Sequence, residues 1–258
     1  MSKWNPELYL KFKIQRTQPA KDLISRIKVE YPDRILDIGC GPGNSSNELK
    51  NRWRRAEILG LDSSETMVKK AINDYPDINF VLADATGPLG YLGKFDVVFS
   101  NAAMQWMPGI DVLLPKLFKM LNPGAVLAMQ IPNPSTMPIQ TAVEKTAGQE
   151  KWGNRFKGFH NGLYLYEPGY YYNILTGLSD DVSLWETHYH HVMPDHEAIV
   201  EWYSSTGMKP YLALLEDKEK EQFCAEVLDI LKQEYPLQIN KNVLFPFRRI
   251  FFTIYKAH

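Results

Sequence analysis

Cysteine is scarce in this chain. Cys40 and Cys224 are the only two among 258 residues, and they stand far apart. They supply neither a disulfide framework nor a Cys-x-x-Cys metal site, and such usage suits a reduced, cytoplasmic compartment. Long apolar runs are also lacking. No stretch of about 18 apolar residues is present to cross a bilayer, and no signal-peptide core is expected at the N-terminus. Charge of one sign is not in excess. A net charge of −1 argues against the broad basic face that nucleic-acid binding usually needs, though not against a local cationic site for a small anion. Repeats and low-complexity segments are missing as well. Neither nucleic acid nor membrane is an expected partner.

What is present is an ordinary globular composition, 45% hydrophobic and 23% charged, of a length that fits one α/β domain with an insertion. Residues 6–27 predict an amphipathic helix with Pro6 near its first turn and a break around Pro19. Strand signals follow at 35–38, 57–62, 78–82, 95–100 and 125–131. Helices are expected between them: from Asn44 or Ser45 through Trp53, from Ser63 or Ser64 through Ala71, and over 112–121. The last is closed by the stop signal Asn122-Pro123-Gly124. This alternation implies a doubly wound, mostly parallel sheet. Beyond Ile131 the composition shifts to Gly, Pro, Tyr and Asn. Residues 132–182 are expected to form a partly helical insertion over the active site, within the same domain. A strand at 183–192, helices at 195–205 and 217–235, and a last strand at 250–255 complete the pattern. Phe223, Val227, Leu228 and Leu231 share one face of the second of these helices. The late strands should pair antiparallel.

The most informative stretch is Ile35-Leu36-Asp37-Ile38-Gly39-Cys40-Gly41-Pro42-Gly43-Asn44. A strand that turns sharply into a helix needs positive φ or a bare backbone, and glycine supplies both. The spacing is Gly-x-Gly-x-Gly, with Asn44 at the third position of the phosphate-binding Gly-x-Gly-x-x-Gly fingerprint. The Lys-Ser/Thr ending of a P-loop is absent. Together with the apolar run that ends in Asp62, this stretch resembles the cofactor loop of class I S-adenosylmethionine (SAM)-dependent methyltransferases. In an open α/β sheet, ligands bind at the carboxyl ends of the strands. On the resemblance, Asp37, Gly39, Gly41, Gly43 and Asn44 form the cofactor turn. Asp62, followed by Ser63, accepts from the ribose hydroxyls. Asp84 accepts from the adenine amino group, with the neighbouring Ala85 N–H facing the ring. Met67 packs on the adenine, and Asn101 faces the methionine ammonium. Each residue also has a purely structural reading. Asp62 and Asp84 suit helix or turn caps, Met67 suits the core, and Asp37 suits holding the loop.

After the fourth strand stands Asn101-Ala102-Ala103-Met104-Gln105-Trp106. Enzymes that methylate amino groups of nucleobases or glutamine often carry Asn/Asp-Pro-Pro-Tyr/Phe there, so this tetrapeptide favours O- or C-methylation of a small molecule. Further segments sharpen the resemblance: Trp4-Asn5-Pro6, Tyr9-Leu10-Lys11-Phe12, Arg16-Thr17, Pro19-Ala20, Gln105-Trp106, Trp185, Tyr189, Met193-Pro194, Glu201-Trp202, Thr206-Gly207-Met208-Lys209-Pro210-Tyr211-Leu212, Tyr235-Pro236-Leu237, Phe247, Arg249 and Phe251. The chain is similar nearly end to end to the trans-aconitate 2-methyltransferases.

That resemblance implies a seven-stranded Rossmann-like sheet, SAM as cofactor, and an N-terminal helical lid at residues 1–27. It also implies methyl transfer to a carboxylate of trans-aconitate or a similar small polycarboxylate. Arg249 and Lys209, with Arg16 and Lys11 from the lid, are the expected carboxylate clamps. Tyr9, Tyr211 and Trp106 are expected to shape the acceptor site. No metal is implied, and His188, His190, His191 and His196 read as solvated or packed side chains. The expected assembly is a monomer or weak homodimer. Lys209 stands where the family more commonly has Arg, and Arg248 where it more often has Pro. Alternatives are a methyltransferase for a phenol, quinone or other acid, a SAM-binding protein without turnover, and, more remotely, a dehydrogenase.

Overall fold

The computed structural model describes residues 13–258, with backbone alone at Lys13 and Ile14. Tyr9, Lys11 and the expected helix start at residues 6–12 lie outside the described residues. Helix α1 (Lys13–Arg26) runs through Pro19 without the expected break. An interior proline costs roughly 3 kcal/mol by removing a hydrogen bond and crowding the preceding turn. Leu23 and Ile24 are buried from the same helix, and together they contribute about 3–6 kcal/mol, which offsets that loss.

Then β1 (Arg34–Ile38), α2 (Asn44–Arg52), β2 (Glu57–Asp62), α3 (Glu65–Asp74), β3 (Asn79–Leu82), β4 (Phe95–Asn101), α4 (Ile110–Lys119) and β5 (Leu121–Pro132) alternate. They continue into α5 (Pro138–Ala147), α6 (Glu150–Phe156), α7 (Pro168–Thr176), β6 (Val182–Met193), α8 (His196–Ser204), α9 (Lys209–Leu212), α10 (Asp217–Glu234) and β7 (Val243–Tyr255). Among the described residues, seven strands form one sheet in the order β3-β2-β1-β4-β5-β7-β6. Strands β3, β2, β1, β4 and β5 are mutually parallel. The β7 contacts run the other way. The Gly124 amide donates to Lys256 O and the Asn133 amide to Arg248 O (both 3.0 Å), so partner numbers fall on β7 as they rise on β5.

Two boundaries differ from the sequence expectation. Helix α4 ends at Lys119 and β5 starts at Leu121, so Asn122-Pro123-Gly124 lies inside the strand rather than ahead of it. The register with β4 slips there, between the pairs Phe95↔Leu121 and Val97↔Val126. Proline is tolerated at such a bulge, where no ladder donor is needed. Asn122 Nδ2 donates to Asp96 Oδ1 (2.7 Å) and fixes the irregularity. Strand β7 begins at Val243, seven residues ahead of the expected 250, so Arg248 and Arg249 lie within it.

Contacts divide the chain into two compact units, each taken by itself. The sheet unit holds Arg16–Pro132, Tyr164–Thr187 and Ile250–His258. Its core is built from strand residues buried on both faces, such as Leu36, Ile38, Val98, Leu127 and Phe252, which is why those strands read as continuous apolar runs. The second unit holds Asn133–Leu163 and His188–Arg249, so the stretch 132–182 is shared between the two. Here Phe223, Val227 and Leu231 of α10 are fully buried, with Ile139, Val143, Trp202 and Tyr203 in the same core. Asp195 caps α8 by accepting from the Ala198 amide (2.7 Å). Among the described residues no helix is long and apolar enough to cross a membrane.

Candidate functional site

In the sheet unit, β1, β2 and β4 end side by side, with Ile38 paired to both Leu61 and Ser100. Just past β1 the Gly39 and Cys40 amides both donate to the Leu61 carbonyl (2.7 and 3.0 Å), which swings the chain off the strand. Gly39 has φ +68°, and a Cβ there would lie 2.2 Å from the Ala103 Cβ. Gly41 has φ +54° and nothing within 4 Å of its missing Cβ. The first glycine is needed for packing. The second keeps a bare backbone facing open space, as a flat ligand would require. Gly43, at φ 89°, is the N-cap of α2, so neither Asn44 nor Ser45 caps it. Asn44 Oδ1 instead accepts from the Tyr75 hydroxyl (3.0 Å).

Asp37 is fully buried. Its Oδ2 accepts from the hydroxyls of Ser45 (2.7 Å) and Ser46 (2.6 Å), which ties α2 back to β1. Its Oδ1 is buried without a partner. Burial pushes this carboxyl up to about 7, against the opposing pull of the two serine bonds, and Asp62 nearby adds to the rise. Burial likewise pushes the Cys40 thiol up, which disfavours the reactive thiolate.

Asp62 links two segments. Its Oδ2 accepts from the Gly41 amide (2.9 Å) and its Oδ1 from the Ser64 amide (2.8 Å). Each oxygen keeps acceptor capacity beyond that bond, so the structural and ligand-binding roles are compatible. Ser63 is exposed beside it, and Met67 on α3 is half-buried. Ser64 occupies the N-cap position of α3 without a side-chain cap bond. Asp84 is exposed. Its Oδ1 accepts from both the amide and the hydroxyl of Thr86 (2.8 Å each), and these bonds hold its carboxyl below the usual range. The adjoining turn is pinned by Lys116 of α4, whose Nζ donates to the carbonyls of Ala85 (2.8 Å) and Gly87.

After β4 the backbone enters an unusual conformation. Ala102 has φ 56°, a region costly for any residue but glycine. It is held from both sides: its amide donates to Gln130 O (3.0 Å), and its carbonyl accepts from Gln105 Nε2 (2.7 Å). Gln105 in turn accepts at its main-chain oxygen from the Tyr164 amide (2.8 Å). Asn101 Oδ1 and Gln105 Oε1 are buried without a donor, as is Asp37 Oδ1. Three acceptor oxygens therefore await donors on the adjacent strands β1 and β4 and the turn that follows. A buried acceptor left unpaired costs about 1–3 kcal/mol, so a group that donates hydrogen bonds suits this end of the sheet. Trp106, in the same turn, is 42% exposed. Arg16 is half-buried on α1.

The remaining expected residues belong to the second unit. Lys209 is exposed at the start of α9. Tyr211 is buried edge-on to Phe159 (4.9 Å) and Phe156 (5.5 Å), and burial raises its phenol above the ordinary value. Arg249 is only 5% exposed and shares a strand face with Phe245 and Phe247, whereas Arg248 is half-buried on the other. The Arg249 guanidinium lies 4.6 Å from the Phe247 ring centre and 5.9 Å from that of Tyr189. His191 stacks against Trp202 at 4.9 Å, and His196 Nε2 meets the Tyr235 carbonyl at 2.7 Å. Both histidines are packed. Among the described residues, no three His, Cys, Asp or Glu side chains are grouped to hold a metal ion.

Sequence reasoning named the aspartates and glycines but missed Ser45, Ser46, Gln105 and Lys116. The Gln105-Trp106 pair was visible only as a family marker, and no local signal marks Lys116 as a clamp on the loop after β3.

A family model described as a methyltransferase domain matches residues 35–124. The chain is 39% identical over 253 residues to the trans-aconitate 2-methyltransferase of Escherichia coli O157:H7, covering 97% of each chain. It is 38% identical over the same span to that of Shigella flexneri. Among solved structures, a plantazolicin methyltransferase in complex with S-adenosylhomocysteine (SAH) superposes with a TM-score of 0.53 at 15% identity, covering 98% of this chain and 90% of that one. Phosphoethanolamine N-methyltransferase 2 of Haemonchus contortus, in complex with SAM, does so at 0.56 and 16% identity, over 93% of this chain and 53% of that one. At those identities the likeness speaks for the fold alone.

Proposed function

The chain belongs to the trans-aconitate 2-methyltransferase family of SAM-dependent methyltransferases, and from that premise we propose that it converts a carboxylate of trans-aconitate, or of a closely similar small polycarboxylate, to its monomethyl ester. When bound, SAM supplies an electrophilic methyl on a sulfonium. The residues present fit it. Gly41 leaves an open bare backbone, Asp62 keeps acceptor capacity, and the three unpartnered oxygens of Asp37, Asn101 and Gln105 match an ammonium. We assign Asp84, Ala85, Ser63 and Met67 to the adenosine part on the same reading.

The observation that carries the acceptor class is Arg249, a guanidinium only 5% exposed and held against two aromatic rings. Such a group keeps its charge, is weakly hydrated, and presents a planar fork that matches a carboxylate. On the family resemblance we also assign Lys209, Arg16 and Lys11 as carboxylate-binding cations. A carboxylate is already ionised at neutral pH, since its reference pKa is about 4. No general base is needed. The acid oxygen bonds to the methyl carbon as the carbon–sulfur bond breaks, and no proton moves. The protein's part is alignment and exclusion of water, for which proximity and orientation supply roughly 7–11 kcal/mol.

The test is methyl transfer from methyl-labelled SAM to a panel of small acids and phenols. Base-labile labelled product from trans-aconitate supports the proposal. Turnover confined to phenols overturns it.

A further inference from the structure

We propose that His191 is a substrate-binding residue, donating from Nε2 to a carboxylate of the acid beside Arg249; this rests on the carboxylate reading above. The ring is 6% exposed, and its Nε2 is buried with no hydrogen-bond partner. Its plane is fixed by near-parallel stacking on Trp202 (4.9 Å, 28°) and Tyr189 (6.1 Å, 6°). Tyr189 is also one of the two rings that hold the Arg249 guanidinium, and the other, Phe247, has its centroid 6.3 Å from that of His191. A fixed cation and a fixed, unsatisfied ring nitrogen thus share one aromatic frame within one unit.

Burial, with Arg249 nearby, pushes the imidazole down to about 4, so at neutral pH it is uncharged. A neutral imidazole offers one N–H and one lone pair. The acid ionised at neutral pH has acceptors only, so the useful tautomer carries its proton on Nε2. The pair then presents one full charge and one neutral donor. It recognises a carboxylate by direction as well as by charge, and it adds no second cation.

The experiment compares His191→Phe, which keeps a stackable ring, with His191→Gln, which keeps an N–H donor near the Nε2 position. Initial-rate kinetics with trans-aconitate are read alongside calorimetric binding of SAH. His191→Phe should raise the KM for trans-aconitate by about 10- to 100-fold, as expected for losing a hydrogen bond to a charged group. SAH affinity should stay within about twofold, and His191→Gln should recover most of the loss. Should the Phe variant not fold, His191→Asn takes its place; its amide reaches only the Nδ1 position and should fail where Gln succeeds. Unchanged KM, or equal impairment in every variant accompanied by lost SAH binding, overturns the assignment to substrate. A parent enzyme that methylates no polycarboxylic acid overturns the carboxylate reading itself. That failure shows in the unsubstituted arm and is therefore distinct.

Discussion

The two glycines that flank Cys40 should fail in opposite ways when each is given one methyl group. In Gly39→Ala the new Cβ would sit at φ +68° and 2.2 Å from the Ala103 Cβ. The left-handed backbone costs an L-residue about 1–2 kcal/mol, and relieving the overlap costs roughly another 1–3 kcal/mol. The expected loss of stability is therefore about 2–5 kcal/mol, a large share of the 5–15 typical of a folded protein. Gly41→Ala carries the backbone term alone, because nothing lies within 4 Å of its added carbon. It should lose only about 1–2 kcal/mol, yet its methyl would project from the backbone assigned to the proposed cofactor site. Its SAH affinity should fall by about tenfold or more, on the order of 1.4 kcal/mol. Urea unfolding measures the first quantity and calorimetric SAH titration the second. Gly39→Ala combined with Ala103→Gly should recover about 1–3 kcal/mol by removing the other half of the overlap. If Gly39→Ala proves no less stable than Gly41→Ala, the division into a packing glycine and a ligand-facing glycine is wrong.

Arg249→Lys, which removes the fork but keeps the charge, should raise the acceptor KM by about tenfold or more while SAH affinity is kept; equal loss of both would misplace the residue. Asp62→Ala should do the reverse, because its Oδ2 holds the Gly41 amide as well as facing the proposed ribose site; intact SAH binding in titrations of that variant would refute the assignment. Asp37→Asn should change how stability depends on pH. With its carboxyl raised from 3.8 to about 7, the folded chain holds a proton that the unfolded chain releases between those values. Its contribution to stability is full below pH about 4 and is lost as pH rises through about 7. His191, lowered from 6.5 to about 4, runs the other way: its contribution is present above about 6.5 and lost as pH falls through about 4. The Asn variant should therefore lose less stability than its parent in urea unfolding from pH about 5 to about 8, and matching slopes would show that Asp37 is already ionised at the low end.

Much of the sheet was legible because its strands are buried on both faces, and runs such as Ile35–Ile38 or Val97–Phe99 have no other plausible home. The start of β7 was hidden for a physical reason. Pro246, Arg248 and Arg249 look like loop residues, and only the alternation of Val243, Phe245, Phe247 and Arg249 on the buried face betrays the strand. Asn122-Pro123-Gly124 has the composition of a helix stop and of a bulge alike, and the β4 register decided between them. At the candidate cofactor end, the glycine spacing and the acids at strand ends were readable because each obeys a local rule. The serine clamp on Asp37 was not, since it depends on α2 folding back over β1. His191 was likewise one of four similar histidines until the fold showed its Nε2 buried and unpartnered.

The charges of the proposed site follow one logic. Methyl transfer from a sulfonium to a carboxylate destroys a positive and a negative charge together, so the transition state is less polar than the reactants. Groups that grip the reacting charges tightly would stabilise the ground state more than the transition state and slow the step. The described residues avoid this. Beside Arg249 stands an uncharged imidazole instead of a second cation. On the proposed assignments, strong fixed charge meets only groups that do not react: the ribose of the cofactor for Asp62, and the spectator carboxylates of the acid for Arg249. A polycarboxylate suits this arrangement better than a monocarboxylate, because it offers anionic groups to grip besides the one that must stay reactive.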